Sequence, residues 1–103
     1  MAFFNDYLLF DGAMGTYFAQ KTGREIACEL VNLLDPKIIA KIHAEYISAG
    51  ATALKTNTFG ANTTALDCPF EKIAEIIRAA WQLATKAAAD NAVVFADIGQ
   101  ITH

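Results

Sequence analysis

The sequence predicts an α/β protein built on a parallel sheet. Three short apolar runs, at residues 7–10, 51–56 and 92–96, have the length and composition of buried strands. The segments 35–50 and 69–90 carry apolar residues every three to four positions, which is typical of amphipathic helices. Because strands and helices alternate in this order, we expect parallel strands with helical crossovers.

The first predicted strand, Tyr7 to Phe10, is an unbroken apolar run of the kind that is buried on both faces of a sheet. Residues 12–34 follow it and are predicted to be irregular, because turn-forming glycines interrupt them. A short helix over 16–21 is left open.

Both long helices have recognisable ends. The first begins with Asp35 as an N-cap acid and Pro36 at the first helical position, and Gly50 ends it. The second begins after Pro69 and continues to about Asp90. Each helix leads directly into the next predicted strand.

Length and composition limit the possible classes of protein. The chain has 103 residues, enough for one small domain, and 54% of them are hydrophobic while only 18% are charged. Its net charge of −3 and its lack of a basic cluster argue against a nucleic-acid partner. No apolar stretch is long enough for a membrane span, and the two separated cysteines predict reduced thiols in a cytoplasmic protein.

Polar residues and glycines follow the end of each predicted strand. Because the carboxyl ends of parallel strands share one rim, these residues are expected to form a single ligand site. The residues on which the site prediction rests are Asp11, Gly12, Gly15, Thr16, Thr56, Asn57 and Thr58, with Asp97 as a further rim residue.

The predicted sheet looks incomplete. Three parallel strands with two helices leave both sheet edges unpaired. At about 40 residues for each β/α unit, a closed eight-unit barrel needs on the order of 300 residues. We therefore interpret the whole chain, residues 1–103, as the N-terminal part of a (β/α)₈ barrel. It would supply about three of the eight β/α units. A small self-contained three-stranded sheet is the alternative.

Two sequence blocks together resemble one family. The first is Asp-Gly-Ala-Met-Gly-Thr at residues 11–16. The second combines Pro36, Ile42-His43, Tyr46 and Ala49-Gly50-Ala51 with Thr-Asn-Thr-Phe-Gly-Ala-Asn at residues 56–62. In this order and spacing, the chain resembles the N-terminal portion of the homocysteine S-methyltransferases, of the methionine synthase and betaine–homocysteine methyltransferase type.

The resemblance implies a (β/α)₈ barrel in which cysteine thiolates hold zinc, and the zinc-bound homocysteine thiolate accepts a methyl group to give methionine. It also implies that Asp11 holds the substrate ammonium, that backbone amides near Gly15 and Thr16 hold its carboxylate, and that residues 56–58 shape the pocket.

The match is partial. The family's zinc cysteines lie in Gly-x-Asn-Cys and Gly-Gly-Cys-Cys-Gly segments that this sequence lacks, and Cys28 and Cys68 match neither. No catalytic or metal-binding residue is therefore assigned. The methyl donor is open among methylcobalamin or methyltetrahydrofolate, betaine, S-methylmethionine and S-adenosylmethionine. The expected partners are homocysteine and the rest of the barrel, or a folate or cobalamin domain.

Other interpretations stay open. The chain could be a non-catalytic truncated or split-barrel subunit, or a small module that binds another amino acid or phosphate through residues 11–16. Asp11, Thr16, Asn57 and Thr58 could act only as turn or helix caps. Lys55, inside an apolar strand, could line the barrel or reach its mouth. For His43, a structural or solvent-facing role is favoured over ligand binding.

Overall fold

The computed structural model describes residues 8–99, and these residues form five helices and two short strands. The elements in chain order are α1 (Met14–Thr22), α2 (Cys28–Leu34), α3 (Pro36–Ser48), β1 (Ala53–Lys55), α4 (Thr63–Leu66), α5 (Phe70–Ala88) and β2 (Val93–Phe95). The fold is thus mixed α/β, as the sequence predicts.

The strands are parallel and lie side by side in chain order. β1 pairs with β2 so that Ala53 faces Val93 and Lys55 faces Phe95. On the other edge of β1, Phe10 forms an isolated parallel bridge with Ala53. The predicted parallel arrangement is confirmed, although the strands are shorter than the apolar runs that predict them.

The first apolar run is less buried than the sequence predicts. Tyr7 lies outside the described residues, and Leu9 and Phe10 are 51% and 47% exposed. The prediction of a strand buried on both faces is therefore wrong for residues 8–10. An apolar run indicates only that burial would be favourable. In this fold the helices cover β1 rather than residues 8–10, and Ala53 and Leu54 of β1 are inaccessible to solvent.

The segment 12–34 is more regular than predicted, because it contains α1 and α2. Helix α1 ends as a glycine-capped helix should, with Gly23 in the left-handed conformation at φ 68°. Helix α2 lacks a recognisable start, since its N-cap is Ala27 and no side chain caps it. It buries Cys28, Val31 and Asn32, so tertiary packing stabilises it.

The two long helices form close to their predicted ends. Gly50, at φ 108°, follows the last residues of α3 and allows the chain to turn into β1. The expected capping role of Asp35 is wrong in one respect. Its side chain makes no cap hydrogen bond and instead pairs with the Arg24 guanidinium at 3.1 Å.

The core lies between the helices and one face of the sheet. One cluster joins Phe18 of α1, Val31 of α2, and Ile39 and Ile42 of α3. Helix α5 packs on α2 and α3. Its buried residues are small or branched: Ile73, Ile76, Ala80, Ala84 and Ala88. Small side chains allow the helices to approach closely, and this packing fixes the strand ends that carry the polar residues.

Several large apolar side chains remain exposed in the described part of the chain. They include Leu9, Phe10, Phe59, Trp81, Phe95 and Ile98. Such exposure is consistent with the 54% hydrophobic content of the chain. None of the described helices combines the length and the apolar character needed to cross a lipid bilayer.

Candidate functional site

A pocket of about 380 Å³ lies at the carboxyl ends of the strands. It is lined by Ala13 to Thr16, Cys28, Glu29, Lys55 to Phe59 and Asp97. Five of the seven predicted site residues therefore meet in one cavity: Gly15, Thr16, Thr56, Asn57 and Thr58. Asp11 and Gly12 are not among the residues that line it.

One side of the pocket is the N-terminal turn of α1. Its N-cap is Ala13, which has no side-chain acceptor to offer, and the helix begins at Met14. The first amides of a helix have no intrahelical partner and carry the positive end of its dipole. Because Gly15 and Thr16 line the cavity, this turn can donate hydrogen bonds to a carboxylate there.

Asp11 fastens the first predicted strand to β1. Its backbone N–H donates to Ala53 O at 3.0 Å, and its carboxylate oxygens accept the Lys55 N–H at 3.3 and 3.2 Å. The Lys55 ammonium lies 3.9 Å from Oδ1, with the lysine side chain 34% exposed and the aspartate side chain 2% exposed. Asp11 is therefore engaged within the chain.

Burial raises the pKa of Asp11 above its ordinary value, because desolvation disfavours the charged carboxylate. The Lys55 N–H and the Lys55 charge oppose this effect. Lys55 thus stabilises the buried carboxylate of Asp11 near the pocket. This explains why a lysine lies inside an apolar strand.

The two glycines of the predicted site, Gly12 and Gly15, differ in how much space a side chain would have. A Cβ at Gly12 would lie 2.7 Å from the Tyr46 Oη, which is too close. A Cβ at Gly15 would meet only the Cys28 Sγ, at 3.9 Å. Neither has a positive φ, so neither position requires the conformational freedom of glycine. A larger residue at position 12 would require the Tyr46 side chain to move.

Thr56 and Thr58 form a chain of hydroxyl groups that reaches Asp97, in the loop after β2. Thr58 Oγ1 donates to Asp97 O at 2.6 Å, and it lies 2.7 Å from Thr56 Oγ1. Because Thr58 gives its one hydrogen to Asp97, Thr56 is the donor between the two hydroxyls. Thr56 Oγ1 in turn accepts the Asp97 N–H at 3.2 Å. These bonds hold the loops after β1 and β2 together.

Asn57 belongs to a buried network with α2. Its Nδ2 donates to Cys28 O at 2.8 Å and to Asn32 Oδ1 at 3.1 Å, and its Oδ1 accepts the Cys28 thiol at 3.1 Å. Asn32 Nδ2 completes the network by donating to Asn57 O at 2.9 Å. Asn57 is only 2% exposed, so its side chain mainly locks α2 against the pocket loop.

Sequence reasoning missed Glu29, which lines the pocket and is 9% exposed. Its Oε2 accepts the Gly60 N–H at 2.8 Å. It was overlooked because α2 was predicted to be irregular. The one available signal was an acid beside Cys28 in a segment whose apolar residues recur at helical spacing.

The residues present do not fit a zinc site. Within residues 8–99 there is no group of three or more His, Cys, Asp and Glu side chains that could hold a metal ion. Cys28 supplies the thiol in the pocket lining, and burial raises its pKa to about 12. Its Sγ donates to Asn57 Oδ1 at 3.1 Å, so the thiol is engaged within the protein.

Comparison with known proteins places this geometry in context. The family model for homocysteine S-methyltransferase matches residues 8–103. Among curated relatives, methionine synthase of Mycobacterium tuberculosis is 43% identical over 63 residues, and that of Mycobacterium leprae is 41% identical over 63 residues. Each match covers 54% of this chain and 5% of the relative.

Among solved structures, the chain is similar to the homocysteine methyltransferase MmuM from Escherichia coli. The metallated form matches with a TM-score of 0.75 at 28% identity, over 93% of this chain and 38% of MmuM. The oxidized form matches with a TM-score of 0.74 at 26% identity. The chain thus spans well under half the length of these relatives. Since the family model covers nearly all of its residues, this chain belongs to the homocysteine S-methyltransferase family.

Proposed function

We propose that this chain is the N-terminal, homocysteine-binding portion of a (β/α)₈ homocysteine S-methyltransferase. The observation that carries the proposal is the pocket at the strand ends, which combines the open first turn of α1 with the Thr56–Thr58 loop. Membership of the family and the 38% coverage of MmuM support the barrel and its incompleteness.

The pocket suits a zwitterionic amino acid. The amide groups at Gly15 and Thr16 provide donors for the substrate carboxylate. The Thr56 and Thr58 hydroxyls hold each other and the Asp97 backbone, so they shape the wall. A rigid wall places the bound amino acid in one orientation, which methyl transfer to its sulfur requires.

We assign activation of the sulfur to protein segments other than residues 8–99. The Cys28 thiol is hydrogen-bonded to Asn57 and its pKa is about 12, so it is a structural group. Consequently, we expect the 103-residue chain alone to bind homocysteine without methylating it. Incubation with homocysteine and each candidate donor should yield no methionine, whereas methionine formation would contradict this assignment.

Titration calorimetry of the chain with L-homocysteine, L-serine and inorganic phosphate tests the binding role. We expect heat of binding with homocysteine and a weaker response with serine, which has the same ammonium and carboxylate but lacks the thiol side chain. Preference for phosphate would replace the amino-acid proposal with an anion-binding module, since the α1 turn and Lys55 both attract anions. Absence of any binding would contradict the proposal for the chain itself.

A further inference from the structure

An exposed apolar stripe runs along helix α5. It consists of Phe70, Ala74, Ile77 and Trp81, and we call it the α5 stripe. Phe70, Ile77 and Trp81 are 72%, 45% and 48% exposed, and Ala74 is half-buried. The four positions are separated by four, three and four residues, which is the spacing of a coiled-coil seam. The side chains therefore share one face of the helix and form a contiguous surface suited to a second helix.

A cavity of about 280 Å³ lies beside the α5 stripe. Ile77 and Trp81 line it from α5, and the exposed side chains of Phe59 and Ile98 line it from the loops after β1 and β2. Among the described residues that line this cavity, only Asp97 is charged. The apolar surface therefore continues from the helix to the strand-end loops and leaves space there for a large side chain.

The residues that border the α5 stripe carry charge on one side only. In heptad notation the stripe occupies positions a and d, and Glu71 and Arg78 then occupy position e. Both are exposed, and neither takes part in the ion pairs found within residues 8–99. Ile73 and Ala80 occupy position g on the other side and are buried in the core.

These border residues match a second copy of the same helix. When two copies of α5 run antiparallel, their e positions face each other across the seam, so Glu71 of each copy meets Arg78 of the other. When the copies run parallel, the e positions face the apolar g positions and no opposite charges meet. Because charges beside a seam set partner and orientation, the pattern favours an antiparallel pair. One chain carries both halves of this pattern, as a two-fold symmetric interface requires.

The same register pairs the apolar side chains. Phe70 of each copy would pack on Trp81 of the other, and Ala74 would pack on Ile77. Phe70 of the second copy would then reach the cavity beside Trp81. We propose that the 103-residue chain forms an antiparallel homodimer through the α5 stripe. The dimer does not depend on the proposed function, because no residue of α5 lines the pocket of about 380 Å³.

Sedimentation equilibrium of the purified chain tests the dimer. We expect twice the monomer mass at near-millimolar concentration and dissociation on dilution to micromolar concentration, because one pair of helices buries a small interface. Trp81 is the only tryptophan of the chain, so its fluorescence emission should shift to shorter wavelength as the dimer forms. A chain that stays monomeric at near-millimolar concentration would overturn the proposal and leave this face for a different helix, such as that of a following β/α unit.

Charge reversal tests the antiparallel register. Glu71→Arg and Arg78→Glu should each weaken dimerisation by about 10-fold, because two attractive pairs become two repulsive ones. The double variant Glu71→Arg/Arg78→Glu restores opposite charges across the seam and should recover most of the wild-type affinity. A mixture of the two single variants should form heterodimers in preference to either homodimer. Absence of both recoveries would overturn the proposed pairing.

Two apolar-to-charged variants test which surface is used. Ile77→Glu places a carboxylate in the middle of the α5 stripe and should leave the chain monomeric. Leu34→Glu is the matched control, because Leu34 is an exposed apolar residue that ends α2 and lies outside the stripe. It should dimerise as the wild type does. Circular dichroism at micromolar concentration checks that both variants keep the fold. Equal effects of the two substitutions on the mass would contradict an interface at the α5 stripe.

Discussion

Both carboxylate oxygens of Asp11 accept the backbone N–H of Lys55, at 3.3 and 3.2 Å, and the Lys55 ammonium lies 3.9 Å from the same carboxylate. The acid that follows the first predicted strand thereby joins that strand to β1. The relationship gives Asp11 a structural role whatever it does for a ligand.

Replacing Asp11 with alanine should lower the free energy of unfolding by about 1–3 kcal/mol, because the part-buried Lys55 N–H loses its acceptor. Urea unfolding measures the change. Asp35→Ala is the matched control, since Asp35 is in an exposed pair with Arg24 and should cost less than about 1 kcal/mol. Equal losses in the two variants would contradict the structural role.

Asn57→Ala should cost about 3 kcal/mol of stability, because it leaves Cys28 O and Asn32 Oδ1 without their donor in a buried site. The comparison is Asn62→Ala, which removes the α4 cap bond to the Ala65 N–H and should cost about 1 kcal/mol. Chemical unfolding of both variants checks the order, and a smaller loss for Asn57 than for Asn62 would show that the network contributes little.

Gly12→Ala should destabilise the fold by about 1–3 kcal/mol, because the new Cβ would lie 2.7 Å from the Tyr46 Oη. Tyr46→Phe removes that oxygen and should recover part of the loss in the double variant. Gly15→Ala should be neutral or slightly stabilising, since the nearest atom is 3.9 Å away and alanine favours helix. Thermal unfolding of the wild type, Gly12→Ala, Tyr46→Phe and the double variant tests whether Gly12 and Tyr46 are coupled.

His43 predicts a pH dependence of stability. It is fully buried, neither ring nitrogen has a hydrogen-bond partner among the described residues, and desolvation lowers its pKa from 6.5 to about 4. Because the unfolded chain binds the proton more tightly, the contribution of neutral His43 is complete above about pH 6.5. It is lost as the pH falls towards 4, at up to about 1.4 kcal/mol for each pH unit.

His43→Leu should remove this dependence. The difference in unfolding free energy between wild type and variant, measured by urea unfolding from pH 7.5 to 4.5, isolates the contribution of His43. At pH 7 the variant should lose no more than about 1 kcal/mol, because leucine leaves no buried ring nitrogen unpaired. A difference that stays constant across the pH range would show that His43 accepts a proton in the folded state as readily as in the unfolded one.

Much of the fold could be predicted from the sequence. The apolar runs and the glycine and proline residues at the helix ends placed α3, α5 and the parallel strands, because those signals are local. Helix α2 was missed because it has no capping residue and forms through burial of Cys28, Val31 and Asn32. Local propensity carries no information about that packing.

The candidate site was predictable in part for the same reason. Parallel strands bring their carboxyl ends together, so the Thr56–Thr58 loop and the residues after Asp11 could be placed on one rim. The engagement of Asp11 by Lys55 and the presence of Glu29 in the lining depend on side-chain positions across elements. The alternation of apolar residues in strands and their helical spacing do not determine those side-chain positions.

The central claim is that the pocket between α1 and the loop after β1 binds the amino-acid end of homocysteine. The most direct measurement is an NMR titration of the ¹⁵N-labelled 103-residue chain with L-homocysteine. We predict that the amide resonances of Gly15, Thr16, Asn57 and Thr58 shift most. Saturable shifts located elsewhere in the chain, or no shifts at millimolar homocysteine, would contradict the account.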